Sequence, residues 1–117
     1  MHIDLSKVII VEGLSDKRQI EKIILEEIEV ICTNGTLGVS KLDELLDEYN
    51  LDHRDVYIMV DEDKSGQRLR KMLARELPHA QHIHTTSEFR EVAATPDYAL
   101  ATALAAKRIA VNPLFLL

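Results

Sequence analysis

Three carboxylates follow apolar segments of the 117-residue sequence. Glu12 closes the run Lys7–Glu12, and Asp61 closes the run Asp55–Asp61. Asp63 lies two residues after Asp61, so both side chains point the same way if the chain stays extended there. If the two runs form neighbouring strands, the three carboxylates converge at one edge of a sheet, where they repel each other unless a cation neutralises them. Hard oxygen ligands suit Mg²⁺ or Mn²⁺, so we predict a divalent-metal site formed by these three acids, although each acid alone would be an ordinary loop residue.

A stripe of basic residues follows the second aspartate. Lys64, Arg68, Lys71 and Arg75 are spaced four, three and four residues apart, which places them on one face of a helix. A phosphate backbone could lie along that face, next to the acidic residues. A solvated helix face is the other interpretation, and both stay open.

Two further segments offer contacts to a phosphate. Ser15 and Asp16 lie at the mouth of the first predicted helix, whose amides can receive a phosphate, although helix capping explains them equally well. Asn34 and Gly35 are typical of a turn, and contact with a substrate is the less favoured interpretation. The candidate residues for binding nucleic acid or phosphate are therefore Ser15, Asp16, Asn34, Gly35, Lys64, Gly66, Arg68 and Lys71.

Strands and helices that could position these residues alternate along the chain. Short apolar runs predict the strands Lys7–Glu12, Glu29–Cys32, Asp55–Asp61 and Ala80–His84. Helical spacing of apolar residues predicts helices that start near Ser15, near Ser40, after Asp63 and at Asp97, the last running to Arg108. Such alternation predicts an α/β fold, with a parallel sheet of about four strands and helices on both faces. Ligands of such sheets bind beyond the carboxyl ends of the strands, where Glu12, Asn34 and Asp61 lie.

Composition limits the remaining possibilities. Hydrophobic residues make up 46% and charged residues 29%, which is typical of a globular protein, and the length suits one domain over residues 1–117. The net charge of −6 gives no global attraction to nucleic acid, so a bound cation or the basic stripe must supply it. The single cysteine, Cys32, forms no internal disulfide, and no apolar run reaches the roughly 20 residues that cross a bilayer. We therefore expect a cytoplasmic protein with no membrane partner.

Three motifs, in this order, resemble the Toprim domain of bacterial primases, topoisomerases, OLD-family nucleases and recombination mediators. They are Val8–Asp16 (VIIVEGLSD), Thr33–Thr36 (TNGT) and Val60–Gly66 (VDEDKSG). The resemblance covers roughly residues 7–84. The same domain occurs in the ribonuclease that matures 5S ribosomal RNA. The resemblance to this ribonuclease is the strongest, because of the Thr-Asn-Gly segment and the stretch from Arg68 to Ala80.

The resemblance implies a Rossmann-like Toprim fold and Mg²⁺-dependent, nuclease-like chemistry at a phosphodiester of RNA or DNA. It also implies that Glu12 is the general acid or base and that Asp61 and Asp63 hold the metal. Many catalytic Toprim domains have a third acid where this chain has Ser65, and nothing outside the domain resembles their usual accessory modules. A non-catalytic module that binds metal and nucleic acid, or a protein partner, is therefore the alternative. A phosphate-transfer domain of the receiver or haloacid type is disfavoured, because its acids follow the first strand.

The sequence ends in the apolar segment Ile109–Leu117. Chain ends are normally polar, so this segment must pack either on its own domain or on a second copy of the chain. Packing on its own domain is the favoured interpretation, because the segment follows the predicted helix Asp97–Arg108 and could fold back over the sheet edge. A homo-oligomer formed through this segment is the alternative.

Overall fold

The computed structural model describes residues 7–35, 38–85 and 91–116. The strands are β1 (Lys7–Val11), β2 (Glu29–Cys32), β3 (Asp55–Ile58) and β4 (Gln81–His82). The helices are α1 (Leu14–Ile23), α2 (Val39–Glu48), α3 (Lys64–Glu76) and α4 (Asp97–Ala106), with short 3₁₀ helices at Leu51–His53 and Pro113–Leu116. Thr36 of the second motif and Leu117 of the apolar segment lie outside the described residues.

The four strands form one parallel sheet in the order β2-β1-β3-β4. β1 is central, and its Ile10 is in register with Ile31 of β2 and with Ile58 of β3. Because β2 and β3 lie on opposite sides of β1, the direction of winding reverses between β1 and β3. Open α/β sheets bind ligands beyond the carboxyl ends of the strands at such a reversal. The predicted α/β fold with its parallel sheet is confirmed, and the acids that follow β1 and β3 lie at this point.

Helices cover both faces of the sheet. On one face, Ile9 and Val11 pack in a cluster with α1 and α4. On the opposite face, Val8 and Ile10 pack in a cluster with α2 and α3. All four side chains are fully buried, as the continuous apolar run predicted, and burying each contributes roughly 2 kcal/mol. Within the described ranges, no helix combines the length and the apolar character that spanning a bilayer requires.

The strands end earlier than predicted. β1 ends at Val11 and β3 ends at Ile58, so Glu12 and Asp61 belong to loops beyond the strands instead of closing them. Met59 is still fully buried after β3, which explains why the apolar run in the sequence is longer than the strand. β4 is a short edge strand of two residues.

Two helix boundaries also differ from the prediction. The N-cap residue of α1 is Gly13, so neither Ser15 nor Asp16 occupies the N-cap position. Asp16 still contributes to capping, because its carboxylate in the first turn accepts a hydrogen bond from the amide of Gly13. α4 ends at Ala106 and not at Arg108. Arg108 adopts a left-handed backbone conformation with φ of 62°, which terminates a helix as a glycine commonly does.

The C-terminal segment folds back on its own domain at its start. Ile109 and Val111 are buried, and Val111 forms an antiparallel bridge with Ile24, just after α1. Leu114 and Leu116 in the last 3₁₀ helix remain 72% and 47% exposed. The favoured interpretation therefore holds for the first residues of the segment and for Phe115, which is partly buried against the core, whereas Leu114 and Leu116 leave apolar side chains at the surface.

Candidate functional site

Glu12 and Asp61 are joined directly at the carboxyl edge of the sheet. Oε1 of Glu12 accepts a hydrogen bond from the backbone amide of Asp61 at 3.0 Å. Burial raises the pKa of the Glu12 carboxyl, and the bond from the Asp61 amide opposes this. The negative charges of Asp61, Asp63 and Asp16 raise this pKa further. The carboxylates therefore gather closely enough to influence one another, as the sequence predicted.

Asp61 is also held by the C-terminal part of the domain. Its Oδ1 accepts a hydrogen bond from the backbone amide of Val92 at 2.8 Å. Val92 is fully buried, so this amide is firmly placed. A hydrogen bond from an amide to a carboxylate is among the stronger kinds, and it fixes the orientation of the Asp61 side chain.

Asp63 is the N-cap of α3. Its Oδ1 accepts a hydrogen bond from the amide of Gly66 at 2.7 Å. Gly66 is packed so closely against the loop that an added Cβ would overlap the carbonyl oxygen of Asp61. The Asp-x-Asp-x-x-Gly spacing thus has a structural cause: the second aspartate caps the helix, and the glycine lets the helix approach the first aspartate.

Asp16 and Ser15 lie in the first turn of α1 in different environments. The Asp16 side chain is only 6% exposed, and its Oδ2 accepts a hydrogen bond from the amide of Gly13 at 3.0 Å. Burial raises the pKa of Asp16, the Gly13 amide lowers it, and the charge of Asp61 raises it further. Asp16 is therefore a buried member of the acidic group, whereas Ser15 is exposed at the surface. The sequence interpretation included Asp16 but missed that it is an acid of the same cluster as Asp61.

The turn after β2 is present as predicted. Asn34 and Gly35 both have positive φ angles, 57° and 106°. The amide of Asn34 donates to the carbonyl of Glu12 at 2.7 Å, which ties this turn to the acidic edge. Asn34 is exposed and lies at the same edge as the carboxylates.

A groove of about 1020 Å³ lies beside the start of α3. The residues that line it are Glu62, Asp63, Lys64, Ser65, Gln67, Arg68 and Lys71. Lys64, Arg68 and Lys71 are exposed, and in the described part of the chain none of them forms an ion pair. Leu69 and Leu73 are buried on the opposite side of the helix. The predicted orientation of the basic stripe is confirmed, and all of its members except Arg75 line the groove, which we call the α3 groove.

Arg70 is a residue that sequence reasoning did not single out as part of the site. It is 6% exposed and lies on the buried side of α3, away from the basic stripe. The signal was available, because Arg70 is four residues after Gly66 and three before Leu73, both of which are buried. A basic residue on the apolar side of a helix indicates a specific acceptor inside the protein.

The carboxylates suit a hydrated cation more than one held by protein ligands alone. Within residues 7–35, 38–85 and 91–116, no group of three or more His, Cys, Asp or Glu side chains is spaced to hold a metal ion. The three predicted acids lie near one another without forming such a group. Mg²⁺ usually keeps several waters and uses one or two carboxylates together with substrate phosphates. Asp61 and Asp63 fit that requirement, because each gives one oxygen to a backbone amide and has a second carboxylate oxygen.

The fold and the site define a Rossmann-like α/β domain with an acidic edge at the switch between its two central strands. The Toprim domain model matches residues 7–90, and the chain belongs to the Toprim family. The predicted family is therefore confirmed. Membership relates this chain to nucleic-acid function, and Toprim domains generally bind Mg²⁺.

Individual relatives agree with this assignment. The chain is 47% identical over 113 residues to the uncharacterized protein YusF of Bacillus subtilis (strain 168), with 97% of this chain and 76% of YusF aligned. It is 30% identical over 83 residues to ribonuclease M5 1 of Ligilactobacillus salivarius (strain UCC118), with 70% of this chain and 43% of that protein aligned. A solved structure of a small TOPRIM domain protein from Bacillus stearothermophilus has a TM-score of 0.90 and 40% identity, covering 98% of this chain and 96% of that one. The chain thus spans nearly all of the small Toprim structure and less than half of the ribonuclease.

Proposed function

We propose that this chain carries out Mg²⁺-dependent chemistry at a phosphodiester bond of RNA or DNA. The observation that carries the proposal is the hydrogen bond from the Asp61 amide to Glu12, because it joins a carboxyl of raised pKa to the loop of Asp61 and Asp63. Membership in the Toprim family supports a nucleic acid as the substrate. The similarity to a protein named ribonuclease M5 1 supports RNA in particular.

The acidic residues at the carboxyl edge of the sheet have different proposed roles. Asp61 and Asp63 would hold the cation, and the amides of Val92 and Gly66 orient the two carboxylates by binding one oxygen of each. Bound there, Mg²⁺ or Mn²⁺ supplies charge stabilisation to the phosphoryl group. Glu12 holds or gives up a proton as the general acid or base; in the metal-free chain burial raises its pKa.

Substrate contacts come from the residues around the acidic edge. Lys64, Arg68 and Lys71 are free of ion pairs within the described ranges, so their charges are available to phosphates that lie in the α3 groove. Ser15 and Asn34 are exposed beside the carboxylates and can donate hydrogen bonds to a phosphate or ribose. Base-independent binding along the backbone follows from these residue types.

A non-catalytic module that binds nucleic acid is the second candidate. Two observations favour it: Ser65 stands where many catalytic Toprim domains have a third acid, and the described carboxylates do not form a group of three metal ligands. In that case the α3 groove would retain the nucleic acid without cleaving it.

Incubation with end-labelled single-stranded and double-stranded RNA and DNA, in Mg²⁺ or Mn²⁺, distinguishes the two candidates. We expect the wild-type chain to cleave and Glu12→Gln to lose cleavage, because glutamine keeps the shape and the acceptor for the Asp61 amide but not the ionisable proton. Glu21→Gln, on the exposed side of α1, is the matched control and should cleave normally. Retention without cleavage would favour the binding module, and full cleavage by Glu12→Gln would remove Glu12 from the mechanism.

A further inference from the structure

Arg70 connects α3 to the ends of two strands. Its guanidinium donates to the carbonyl of Ile58 at 3.3 Å and to the carbonyl of Ile83 at 3.2 Å. Ile58 is the last residue of β3, and Ile83 directly follows β4. Arg70 also forms an ion pair with Oε2 of Glu62 at 3.0 Å. One buried side chain thus joins the helix, the sheet and the loop that carries the two aspartates.

Both carboxylate oxygens of Glu62, the residue between Asp61 and Asp63, contact side chains of the domain. Its Oε2 binds Arg70, and its Oε1 accepts a hydrogen bond from Gln67 at 3.1 Å. Both oxygens therefore face side chains of the domain, and only 15% of the side chain is exposed. Glu62 therefore anchors the loop by side-chain contacts, whereas Asp61 and Asp63 on either side of it bind backbone amides.

The burial of Arg70 makes these contacts rigid. Burying a guanidinium away from water is unfavourable unless hydrogen-bond acceptors surround it. If the loop or the strand ends moved away from Arg70, the guanidinium would be left buried without its acceptors, which is unfavourable. The two terminal nitrogens of the planar guanidinium reach different acceptors at once, which a lysine ammonium cannot reproduce, whereas the buried Nε has no hydrogen-bond partner among the described residues. Nη1 of Arg70 also lies 3.0 Å from Nδ1 of His82, which extends the network along β4.

We propose that Arg70 is a positioning residue that, through Glu62, holds the loop of Asp61 and Asp63 in the conformation that binds the divalent cation. The link to the cation rests on the proposed function, whereas the link to the loop rests on the contacts alone. Three backbone amides report the conformation of this loop, because each donates to a site carboxylate: those of Asp61, Gly66 and Val92.

Hydrogen exchange measured by NMR on the full chain tests the positioning role without any metal. We expect Arg70→Gln to lower the protection of these three amides by about tenfold or more relative to amides of β1, because the loop opens locally. Arg54→Gln is the matched control: Arg54 is also 6% exposed and is paired with Glu29 at 2.7 Å, but it lies at the amino end of the sheet. The control should leave the ratio of loop to strand protection unchanged.

Mn²⁺ binding, followed by the electron paramagnetic resonance of the free ion, tests the link to the cation. Residues that orient a metal-binding group typically change affinity by 10-fold to 100-fold, so we expect the Mn²⁺ dissociation constant of Arg70→Gln to rise by about tenfold. Arg70→Lys keeps the charge but not the planar donor group, and it should restore little of this affinity. Arg54→Gln should bind Mn²⁺ as the wild type does.

The outcomes separate the positioning of the loop by Arg70 from the proposed binding of the cation. Selective loss of loop protection in Arg70→Gln supports the positioning role, and weaker Mn²⁺ binding extends it to the cation. Unchanged loop protection in Arg70→Gln, or an equal loss of protection in Arg54→Gln, overturns the positioning role. If the wild type binds no Mn²⁺ while Arg70→Gln still opens the loop, the proposed function fails and the positioning of the loop stands. Should Arg70→Gln not fold, Glu62→Gln removes the charge of the partner at constant size and gives the same comparison.

Discussion

Gly66 lies against the carbonyl oxygen of Asp61 with no room for a side chain between them. Gly66 is buried in the first turn of α3, and its amide binds the Asp63 carboxylate. This one residue therefore sets both the distance from α3 to the first aspartate and the cap made by the second. The motif is as much a packing requirement as a chemical one.

Gly66→Ala should destabilise the domain, although alanine in a helix interior is normally more stable than glycine by about 1 kcal/mol. The new Cβ would force the Asp61 carbonyl away, and we expect a loss of about 2 kcal/mol in the free energy of unfolding, measured with urea. Ser65→Ala, at the exposed neighbouring position, controls for helix propensity and should stay within about 0.5 kcal/mol. A Gly66→Ala chain more stable than the wild type would contradict the close approach.

Mg²⁺ or Mn²⁺ should raise the melting temperature of the wild-type chain, because the folded state alone presents the gathered carboxylates. At a hundredfold excess over the dissociation constant, the stabilisation is about 2.7 kcal/mol. Asp61→Asn combined with Asp63→Asn should abolish the metal-dependent shift in differential scanning fluorimetry. Asp43→Asn with Asp47→Asn, two exposed acids of α2, changes the charge equally and should leave the shift intact. An undiminished shift in the Asp61/Asp63 variant would show that the metal binds at another place on the chain.

The stability of the metal-free chain should depend on the ionisation of Glu12. Its pKa is raised in the folded state, mainly by burial, so folding favours the protonated form. The resulting stability is fully present below the ordinary pKa of 4.5 and is lost as pH rises through the folded value. Glu12→Gln, which cannot ionise, should therefore gain stability over the wild type as pH rises from about 4 to 7. Urea unfolding at several pH values measures this gain, with Glu21→Gln as the control, and a gain that shrinks over this range would contradict it.

The sequence predicted the parts of the site that are local. Glu12 and Asp61 each follow a continuous apolar run, and such runs specify strands buried on both faces. That these two residues meet depends on the pairing of β1 with β3, which the sequence left as a condition and the structure shows. Gly66 and Asp63 belong to one short motif whose geometry is set within a single helical turn. Such features need only spacing and residue type to be inferred.

The contacts that connect distant segments could not be predicted in the same way. Val92 contributes a backbone amide to Asp61, and an amide leaves no trace in the residue type. Arg70 looks like one more base beside Arg68 until the helix is packed and its side chain meets Glu62 and the ends of two strands. For Asp16 the sequence left helix capping and phosphate contact open, and only the fold shows that Gly13 is the N-cap residue and that Asp16 is buried.

Nucleic-acid binding, if it uses the α3 groove, should depend on salt through Lys64, Arg68 and Lys71. Each phosphate contact on duplex DNA contributes about 0.9 to the slope of log K against log salt concentration. Replacing Arg68 with Gln should therefore lower the magnitude of that slope by about 0.9 in a fluorescence anisotropy titration. Lys41→Gln, an exposed base on α2, should leave the slope unchanged. An unaltered slope for Arg68→Gln would place the nucleic acid outside this groove.

Self-association through the end of the chain remains a prediction, and its candidate surface is now defined. Leu114 and Leu116 are exposed although the neighbouring Ile109 and Val111 are buried in the domain. If these leucines pack on a second copy, light scattering should show a mass that rises with concentration and falls to that of a monomer in Leu114→Ser combined with Leu116→Ser.

The melting temperature of the dilute chain should change little in that variant, because the side chains are exposed within one copy. Leu14→Ser with Val39→Ser removes two exposed apolar side chains from α1 and α2 and serves as the matched control, which should keep the wild-type mass. A specific interface generally buries about 1,000 Å² or more, so two leucines form only part of it and further residues near them must contribute. A wild-type chain that is monomeric at every concentration tested would rule out this interface.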